Sequence, residues 1–372
     1  MEIDEAIAQT QRHLSNEGLS MADLLTQFRD RISPTLIGES NWQNILRCAT
    51  NLPIESAALP FGFELPLHDS EPIADLGVSL ARGTKTEDYF QNQLNTRNKH
   101  SDSTVSSILR LFAEMGANDS TLEDIVGPKV MLEYDIGSGA SDAISQPGMF
   151  LRPGERPILG ANVQGEDVTT VVDALVSCVG WEENEEERLN VEQAYLMQPA
   201  DTRMDSFGVF PSRSRSIRLA IMGFKTQQQL GTYLHQTNWP GEVSVVDSVI
   251  DQFRKRANIE RTGINIDVQS HGLGPTLGLT LIVKQRYTKD SRYWLDGLTD
   301  WEPFLKALSQ EAIVVPDKLE QLAKWVSKPT VLFAKSTRYV LLQGIHHIKL
   351  VVEDGYLQKV KAYVFLVLSA GL

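Results

Sequence analysis

The sequence contains very little cysteine. Only Cys48 and Cys178 occur among the 372 residues, and they stand far apart without a histidine close to either. A disulfide framework, or a zinc site built from paired cysteines, needs several closely spaced Cys and His residues. The composition therefore argues against both kinds of structure.

Long apolar runs and an excess of positive charge are also missing. The longest apolar run worth considering, Tyr363–Leu368, is far shorter than the ~20 residues of a membrane-spanning helix, and the acidic start at residues 1–5 does not resemble a signal peptide. The net charge is −13, from 35 Lys and Arg against 48 Asp and Glu, whereas nucleic-acid binding normally requires a basic surface. We therefore expect a cytoplasmic protein that binds neither membranes nor nucleic acids.

What the sequence does contain is a recurring pair of short strands, with helical segments between the pairs. Two amphipathic helices precede the first pair. Because helices separate strand pairs rather than single strands, the pattern favours antiparallel pairing. The expected turns include a Gly-rich turn at 272–275 and a hairpin turn at 353–355. The ten expected strands are Phe61–Leu67, Ile73–Ala81, Val130–Ile136, Met149–Arg152, Ser206–Phe210, Ser216–Phe224, Thr262–Ser270, Thr276–Arg286, Ile345–Val352 and Leu357–Leu368.

The longer strands have one aliphatic face and one polar face. Ile264, Ile266 and Val268, for example, alternate with Asn265 and Asp267. An open sheet with helices on one side and water on the other fits this alternation, but ten strands leave edges that closure into a barrel removes. We therefore predict an α+β fold, a helix-jacketed ten-stranded antiparallel barrel with a polar lumen. Residues 1–55 would form helices that pack on the barrel, and residues 56–372 would form the single barrel domain.

The polar faces of the expected strands are basic and aromatic, although the whole chain is acidic. Cations gathered from several strands suit a phosphate or a diphosphate, because each supplies charge-assisted hydrogen bonds. Aromatic rings nearby would stabilise a carbocation. For any single residue, simple exposure to solvent is the alternative, and Lys361 is expected to face water in the free protein. The candidate diphosphate-binding residues are Arg218, Lys284, Arg286, Lys349, Lys361 and Tyr363.

Motifs for other chemistries are absent. The aspartate-rich motifs of metal-dependent terpene chemistry do not occur, so the sequence predicts no metal site and no required cofactor; Mg²⁺ could still accompany a bound diphosphate. His346 and His347 are adjacent, and on a regular strand they would face opposite sides. We therefore do not expect them to bind one ion together.

Three short segments resemble those of a known family. Lys361-Ala362-Tyr363 is a Lys-x-Tyr pattern on the last expected strand, and Lys284-Gln285-Arg286 resembles it with Arg in place of Tyr. Phe63-Glu64 on the first strand resembles a Phe-Glu segment that holds the acceptor in that family. Together with the strand pattern, these segments resemble the aromatic prenyltransferases, the indole prenyltransferases among them. That resemblance implies a PT barrel built from repeated α-β-β-α units.

The resemblance also implies a function. The protein would be a transferase of natural product biosynthesis that moves a prenyl group from a prenyl diphosphate to an aromatic small molecule or peptide side chain. Glu64 would orient or deprotonate the acceptor, and Glu133 is the second candidate catalytic acid. The lumen cations would hold the diphosphate. Two alternatives remain from the sequence: a non-catalytic barrel that binds an anionic ligand or peptide, and a natural-product cyclase on the same fold.

Overall fold

One antiparallel sheet contains every strand that the structure describes. The computed structural model of the protein describes residues 5–96, 103–136, 145–160, 164–257, 259–283, 301–327, 329–335 and 337–370. The strands are β1 (Phe61–Pro66), β2 (Asp75–Ala81), β3 (Lys129–Tyr134), β4 (Gly148–Leu151), β5 (Arg203–Val209), β6 (Ile217–Phe224), β7 (Ile259–Gln269), β8 (Gly272–Val283), β9 (Thr330–Phe333), β10 (Arg338–Glu353) and β11 (Tyr356–Ala370).

Ten of these strands close into a barrel. β1 to β8 follow one another around the ring, β10 pairs with β8, and β11 pairs with both β10 and β1. β9 pairs with the first four residues of β10 and lies outside the ring. The predicted fold class is confirmed, and the open-sheet alternative is wrong.

Helices surround the barrel and bury an apolar stripe against it. On α10, residues Val246, Val249, Ile250 and Phe253 recur with helical spacing and are at most 5% exposed. The α-helices in the described part of the chain are α1 (Glu5–Leu14), α2 (Met21–Phe28), α3 (Glu39–Ala49), α4 (Lys85–Thr96), α5 (Ser103–Met115), α6 (Leu122–Val126), α7 (Gly165–Cys178), α8 (Glu185–Leu196), α9 (Gln227–Gln236), α10 (Val243–Arg254), α11 (Glu302–Leu308) and α12 (Pro316–Trp325). No helix in these ranges has the length and apolar character to cross a bilayer.

Apolar and polar side chains lie on opposite faces of the barrel wall, as the alternation predicts. Ile264, Ile266 and Val268 belong to the buried apolar core under the helices, while Asn265 and Asp267 point to the other side and remain partly exposed. Side chains of a strand alternate between its two faces. The polar residues therefore line the lumen.

Closure of the ring depends on a close approach between β1 and β11. Gly62 of β1 pairs with Phe365 of β11, and a Cβ at position 62 would lie 1.9 Å from the carbonyl oxygen of Val364. Only glycine fits such a backbone contact. The first and last barrel strands meet at this point.

Some local expectations need correction. Three α-helices, not two, precede β1, and α1 is tied to the end of β11 by a hydrogen bond of 2.9 Å from Ala370 N to Thr10 Oγ1. The Gly-rich stretch is not a turn: the chain turns at Ser270 and His271, and β8 already begins at Gly272.

The predicted last hairpin is confirmed. Asp354 and Gly355 both have positive φ, at 51° and 77°. A two-residue hairpin turn of this kind matches the twist of its flanking strands, and Asp-Gly suits it because both residues tolerate positive φ. The turn joins β10 and β11, the two longest strands among the residues that the structure describes.

Candidate active site in the barrel lumen

Four polar side chains meet in the lumen where β10, β11 and β1 adjoin. Glu64 of β1 accepts a hydrogen bond from the ammonium of Lys361 on β11, and the two groups form an ion pair. Lys349 Nζ on β10 donates to the hydroxyl of Tyr363 at 2.8 Å and lies 4.6 Å from the centre of its ring. Glu64 is 5% exposed and Lys349 is 9% exposed. Lys361 and Tyr363 are partly exposed, with 25% of the Lys361 side chain accessible. The cluster is therefore charged, and it is buried at Glu64 and Lys349.

Charge within this cluster shifts the pKa of each member. Burial by itself raises the pKa of Glu64, but the ammonium groups of Lys361 and Lys349 outweigh it and lower that pKa to about 2. Burial lowers the pKa of Lys349 to about 8, even though Glu64 opposes the shift. Glu64 is therefore an ionised hydrogen-bond acceptor at neutral pH, and Lys349 is a cation that loses its proton in mildly basic solution.

More carboxylates lie on the next two strands. Asp75 of β2 is the direct cross-strand partner of Glu64, and Glu133 lies on the same lumen side of β3. Burial and the charge of Glu64 raise the pKa of Asp75 to about 7 and also raise the pKa of Glu133. Arg213, in the loop after β5, forms an ion pair with Asp135, and its Nη2 lies 3.7 Å from Glu133 Oε1. Carboxyl groups with raised and lowered pKa values thus lie on the same lumen face of neighbouring strands, an arrangement that suits proton transfer.

Arg218 also faces the lumen, but a carboxylate neutralises it. Its Nε and Nη2 donate to the two oxygens of Asp267 on β7, both at 2.8 Å. These two residues are cross-strand partners. The guanidinium lies 4.7 Å from the ring centre of Phe210, whose ring meets that of Phe150 edge-on at 5.2 Å. The guanidinium of Arg213 lies over the same Phe210 ring, 3.7 Å from its centre. This side of the lumen therefore holds aromatic rings that already contact cations.

The two histidines do not face opposite sides, contrary to the sequence prediction. A bulge in β10 between Ile345 and His347 inserts His346 as an extra residue, and the two Nδ1 atoms lie 2.7 Å apart. The His347 ring stacks on Tyr363 with 4.1 Å between centres. Burial and the neighbouring His346 lower the pKa of His347 well below its usual value, so it supports the Tyr363 ring as a neutral group.

The structure brings some of the predicted site residues together and places others apart. Glu64, Lys349, Lys361 and Tyr363 form one cluster, while Arg218 and Glu133 line the same lumen on other strands. The expectation that Lys361 faces water is wrong, because Glu64 binds its ammonium. The predicted diphosphate ligands Lys284 and Arg286 lie outside the described residues.

Sequence reasoning missed Asp75 and Arg213 as lumen residues. A signal for Asp75 existed: in a β1–β2 hairpin it lies opposite Glu64. Arg213 follows β5 in a loop, and no strand pattern points to it. Within the described ranges, no group of three or more His, Cys, Asp and Glu side chains is arranged to hold a metal ion.

Comparison with known proteins identifies a fold. No family model matches the sequence, and no curated protein matches it. Solved structures do: the apo form of the prenyltransferase PriB is similar at a TM-score of 0.55 and 13% identity, covering 94% of this chain and 96% of that one. PriB in a binary complex with product diphosphate gives a TM-score of 0.52 at 13% identity, over 92% and 95%.

A PriB ternary complex with L-tryptophan and dimethylallyl thiolodiphosphate gives a TM-score of 0.50 at 12% identity, over 96% of this chain and 94% of that one. At such identities the similarity is one of fold. The chain has the PT-barrel fold of these prenyltransferases along almost its entire length.

Proposed function

We propose that this protein is an aromatic prenyltransferase, which moves a prenyl group from a prenyl diphosphate to an aromatic small molecule or peptide side chain. The observation that carries the proposal is the lumen cluster of Glu64, Lys361, Lys349 and Tyr363. It lies inside a barrel whose fold is shared with PriB, and PriB structures contain product diphosphate, L-tryptophan and dimethylallyl thiolodiphosphate.

Lys349 and Lys361 would hold the diphosphate. They are direct cross-strand partners on β10 and β11, and positioned ammonium groups stabilise the negative charge that develops on a leaving diphosphate. Phe150 supplies an aromatic ring that attracts a prenyl cation, because the rings of Tyr363 and Phe210 are already in contact with cationic or stacked side chains. The closed wall keeps water from that cation.

Glu64 would bind the acceptor. A buried, ionised carboxylate accepts a hydrogen bond from an N–H or O–H group of an aromatic molecule. In the reaction, the C–O bond to the diphosphate breaks, the acceptor forms a bond to the prenyl carbon, and the acceptor then loses a proton. Glu64 is the first candidate for receiving that proton and Glu133 is the second. When a diphosphate draws Lys361 towards itself, the pKa of Glu64 rises and its carboxylate becomes a better base.

Metal ions are not required in this account, because side chains neutralise the diphosphate. Mg²⁺ could enter as an ion paired with the substrate. Incubation with dimethylallyl diphosphate and a panel of aromatic acceptors, with EDTA present, followed by mass spectrometry, tests the proposal. We expect a product that carries one added prenyl unit.

A matched pair of variants sharpens that experiment. Glu64→Gln should lose product formation and still bind the diphosphate, while Glu320→Gln, on the outer surface of α12 with its side chain 66% exposed, should behave as wild type. A wild type that binds the diphosphate and prenylates none of the acceptors would favour a non-catalytic binding barrel.

A further inference from the structure

Thr280 carries a buried hydroxyl that the fold itself does not use. The residue lies on β8 and is 2% exposed, and its Oγ1 has no hydrogen-bond partner among the described residues. Burying an unpaired hydroxyl is unfavourable, because the group loses its hydrogen bonds to water. Such a group on the lumen face of a strand, beside charged side chains, points to a ligand that completes its hydrogen bonds.

The position of Thr280 places this hydroxyl beside the two lumen lysines. Thr280 is the direct cross-strand partner of Lys349, which in turn pairs with Lys361. Directly paired residues project from the same face of the sheet. Thr280, Lys349 and Lys361 therefore form a continuous row across β8, β10 and β11, which we call the lumen row; with strands about 4.8 Å apart, it spans about 10 Å.

The lumen row has the charge of an anion site. Like charges directly opposite each other destabilise a sheet, and Lys349 and Lys361 are such a pair, with Glu64 as a counter-ion at one end. Gly278, two residues before Thr280 on β8, leaves space for the Lys349 side chain: a Cβ at position 278 would lie 2.9 Å from Lys349 Cδ. An anion that binds along the row relieves the repulsion between the lysines and reaches the unpaired hydroxyl.

We propose that Thr280 is a further ligand-binding residue, whose hydroxyl donates a hydrogen bond to a phosphate oxygen of the diphosphate that Lys349 and Lys361 hold. This inference rests on the proposed function and adds to it a neutral donor on β8. A diphosphate has two phosphate groups, so it can bridge neighbouring positions of the lumen row. Its several oxygens accept more hydrogen bonds than a single ammonium group donates.

The structure offers a matched control. Thr262 on β7 is also 2% exposed and its Oγ1 also has no partner in the described part of the chain. Its neighbour Gly263 packs against the side chain of Met222 and pairs with Thr280, so Thr262 points to the opposite, helix-covered face of the wall. The two threonines thus differ in the face they occupy and not in burial.

The experiment is calorimetric titration with inorganic diphosphate and with dimethylallyl thiolodiphosphate, together with thermal unfolding. Thr280→Val should weaken the binding of both probes about tenfold without lowering the melting temperature, because the hydroxyl has no partner in the free protein. Thr280→Ser should restore the affinity. Thr262→Val should bind as wild type does.

Each other outcome overturns the inference in a recognisable way. If wild type binds the probes and Thr280→Val binds them equally well, the role of Thr280 is wrong, while diphosphate binding by the lysines stands. If Thr280→Val lowers the melting temperature and Thr280→Ser does not restore affinity, the residue is structural. If wild type binds neither probe, the proposed function fails and the inference fails with it.

Discussion

The ammonium of Lys361 on the last barrel strand donates to the buried carboxylate of Glu64 on the first strand, across the junction that closes the ring. This ion pair joins groups that are 297 positions apart in the chain. It binds the two ends of the barrel together, and it places an ionised carboxylate in the lumen.

Replacing Lys361 should therefore cost stability. Lys361→Met leaves the carboxylate of Glu64 buried without its main partner, and we expect a loss of about 2–4 kcal/mol in the free energy of unfolding. The double variant Glu64→Gln/Lys361→Met should recover most of it, because no unpaired buried charge remains. Denaturant unfolding of the single and double variants measures both values.

Lys359 provides the control for this prediction. It lies on the same strand, 43% of its side chain is exposed, and it is 3.6 Å from Glu353. Exposed ion pairs contribute little, so Lys359→Met should change stability by less than about 1 kcal/mol. Equal losses for Lys359→Met and Lys361→Met would contradict a special role for the buried pair.

Asp75 should make the protein less stable as the pH rises. Its pKa is about 7 in the folded protein, where burial and Glu64 raise it, and about 4 when unfolded. Between these values the folded state holds more protons than the unfolded state, so stability falls as pH increases through this window. Asp75→Asn keeps an oxygen to accept the 2.7 Å hydrogen bond from Ile136 N.

We expect Asp75→Asn to equal wild type in stability near pH 4 and to exceed it by about 1–3 kcal/mol at pH 8. Thermal unfolding across this range measures the difference. A variant that is less stable than wild type at pH 8 would show that the ionised form of Asp75 is favoured in the folded protein, against this account.

Lys349 should give diphosphate binding a distinct pH dependence. Burial lowers its pKa to about 8, so in the free protein its positive charge is lost as pH rises through that value. Phosphate groups have finished titrating by then, with a last pKa near ~6. The affinity for dimethylallyl thiolodiphosphate should fall about tenfold above pH 8.

Lys349→Met should bind dimethylallyl thiolodiphosphate more weakly than wild type, and its affinity should not fall above pH 8. Calorimetry between pH 7 and about 9.5 measures both effects. A step of the same size in Lys349→Met would assign the titration to another group. In that case Lys361 would be the next group to test, although Glu64 raises its pKa.

Because β1 and β11 approach closely where the barrel closes, alanine substitutions at Gly62 and Gly77 should differ in their effect on stability. Gly62 and Gly77 are cross-strand partners on β1 and β2. A Cβ at position 62 would lie 1.9 Å from Val364 O, whereas at position 77 the nearest atoms are 3.9 Å away. Gly62→Ala should destabilise the protein by about 3 kcal/mol or more, and Gly77→Ala by less than about 1 kcal/mol. Comparable unfolding midpoints for the two variants would be inconsistent with this closure.

Much of the fold could be predicted because it follows from local patterns. The alternation at Ile264, Ile266 and Val268 indicates which side of a strand is buried. Asp354-Gly355 indicates a hairpin turn. Each of these signals lies within a few consecutive residues. Ten strands then favour closure on general grounds. These features need no knowledge of distant partners.

The charge state of the site could not be predicted in the same way. Whether Lys361 faces water or Glu64 depends on the register of the last strand against the first, which only the closed ring fixes. The bulge at His346 shifts one residue and reverses the relation between the two histidines, and the sequence carries no clear mark of it. The alternation along β8 places Thr280 on the polar face, but the sequence does not show that its hydroxyl lacks a hydrogen-bond partner.

A calorimetric titration of wild type, Lys349→Met and Lys255→Met with dimethylallyl thiolodiphosphate at pH 7 tests directly whether the lumen binds a diphosphate. Lys255 lies on the protein surface just after α10, with 74% of its side chain exposed. We expect wild type and Lys255→Met to bind, and Lys349→Met to bind with about ten- to a hundredfold weaker affinity. No binding by wild type, or equal affinity in all three proteins, would contradict a diphosphate site in the lumen.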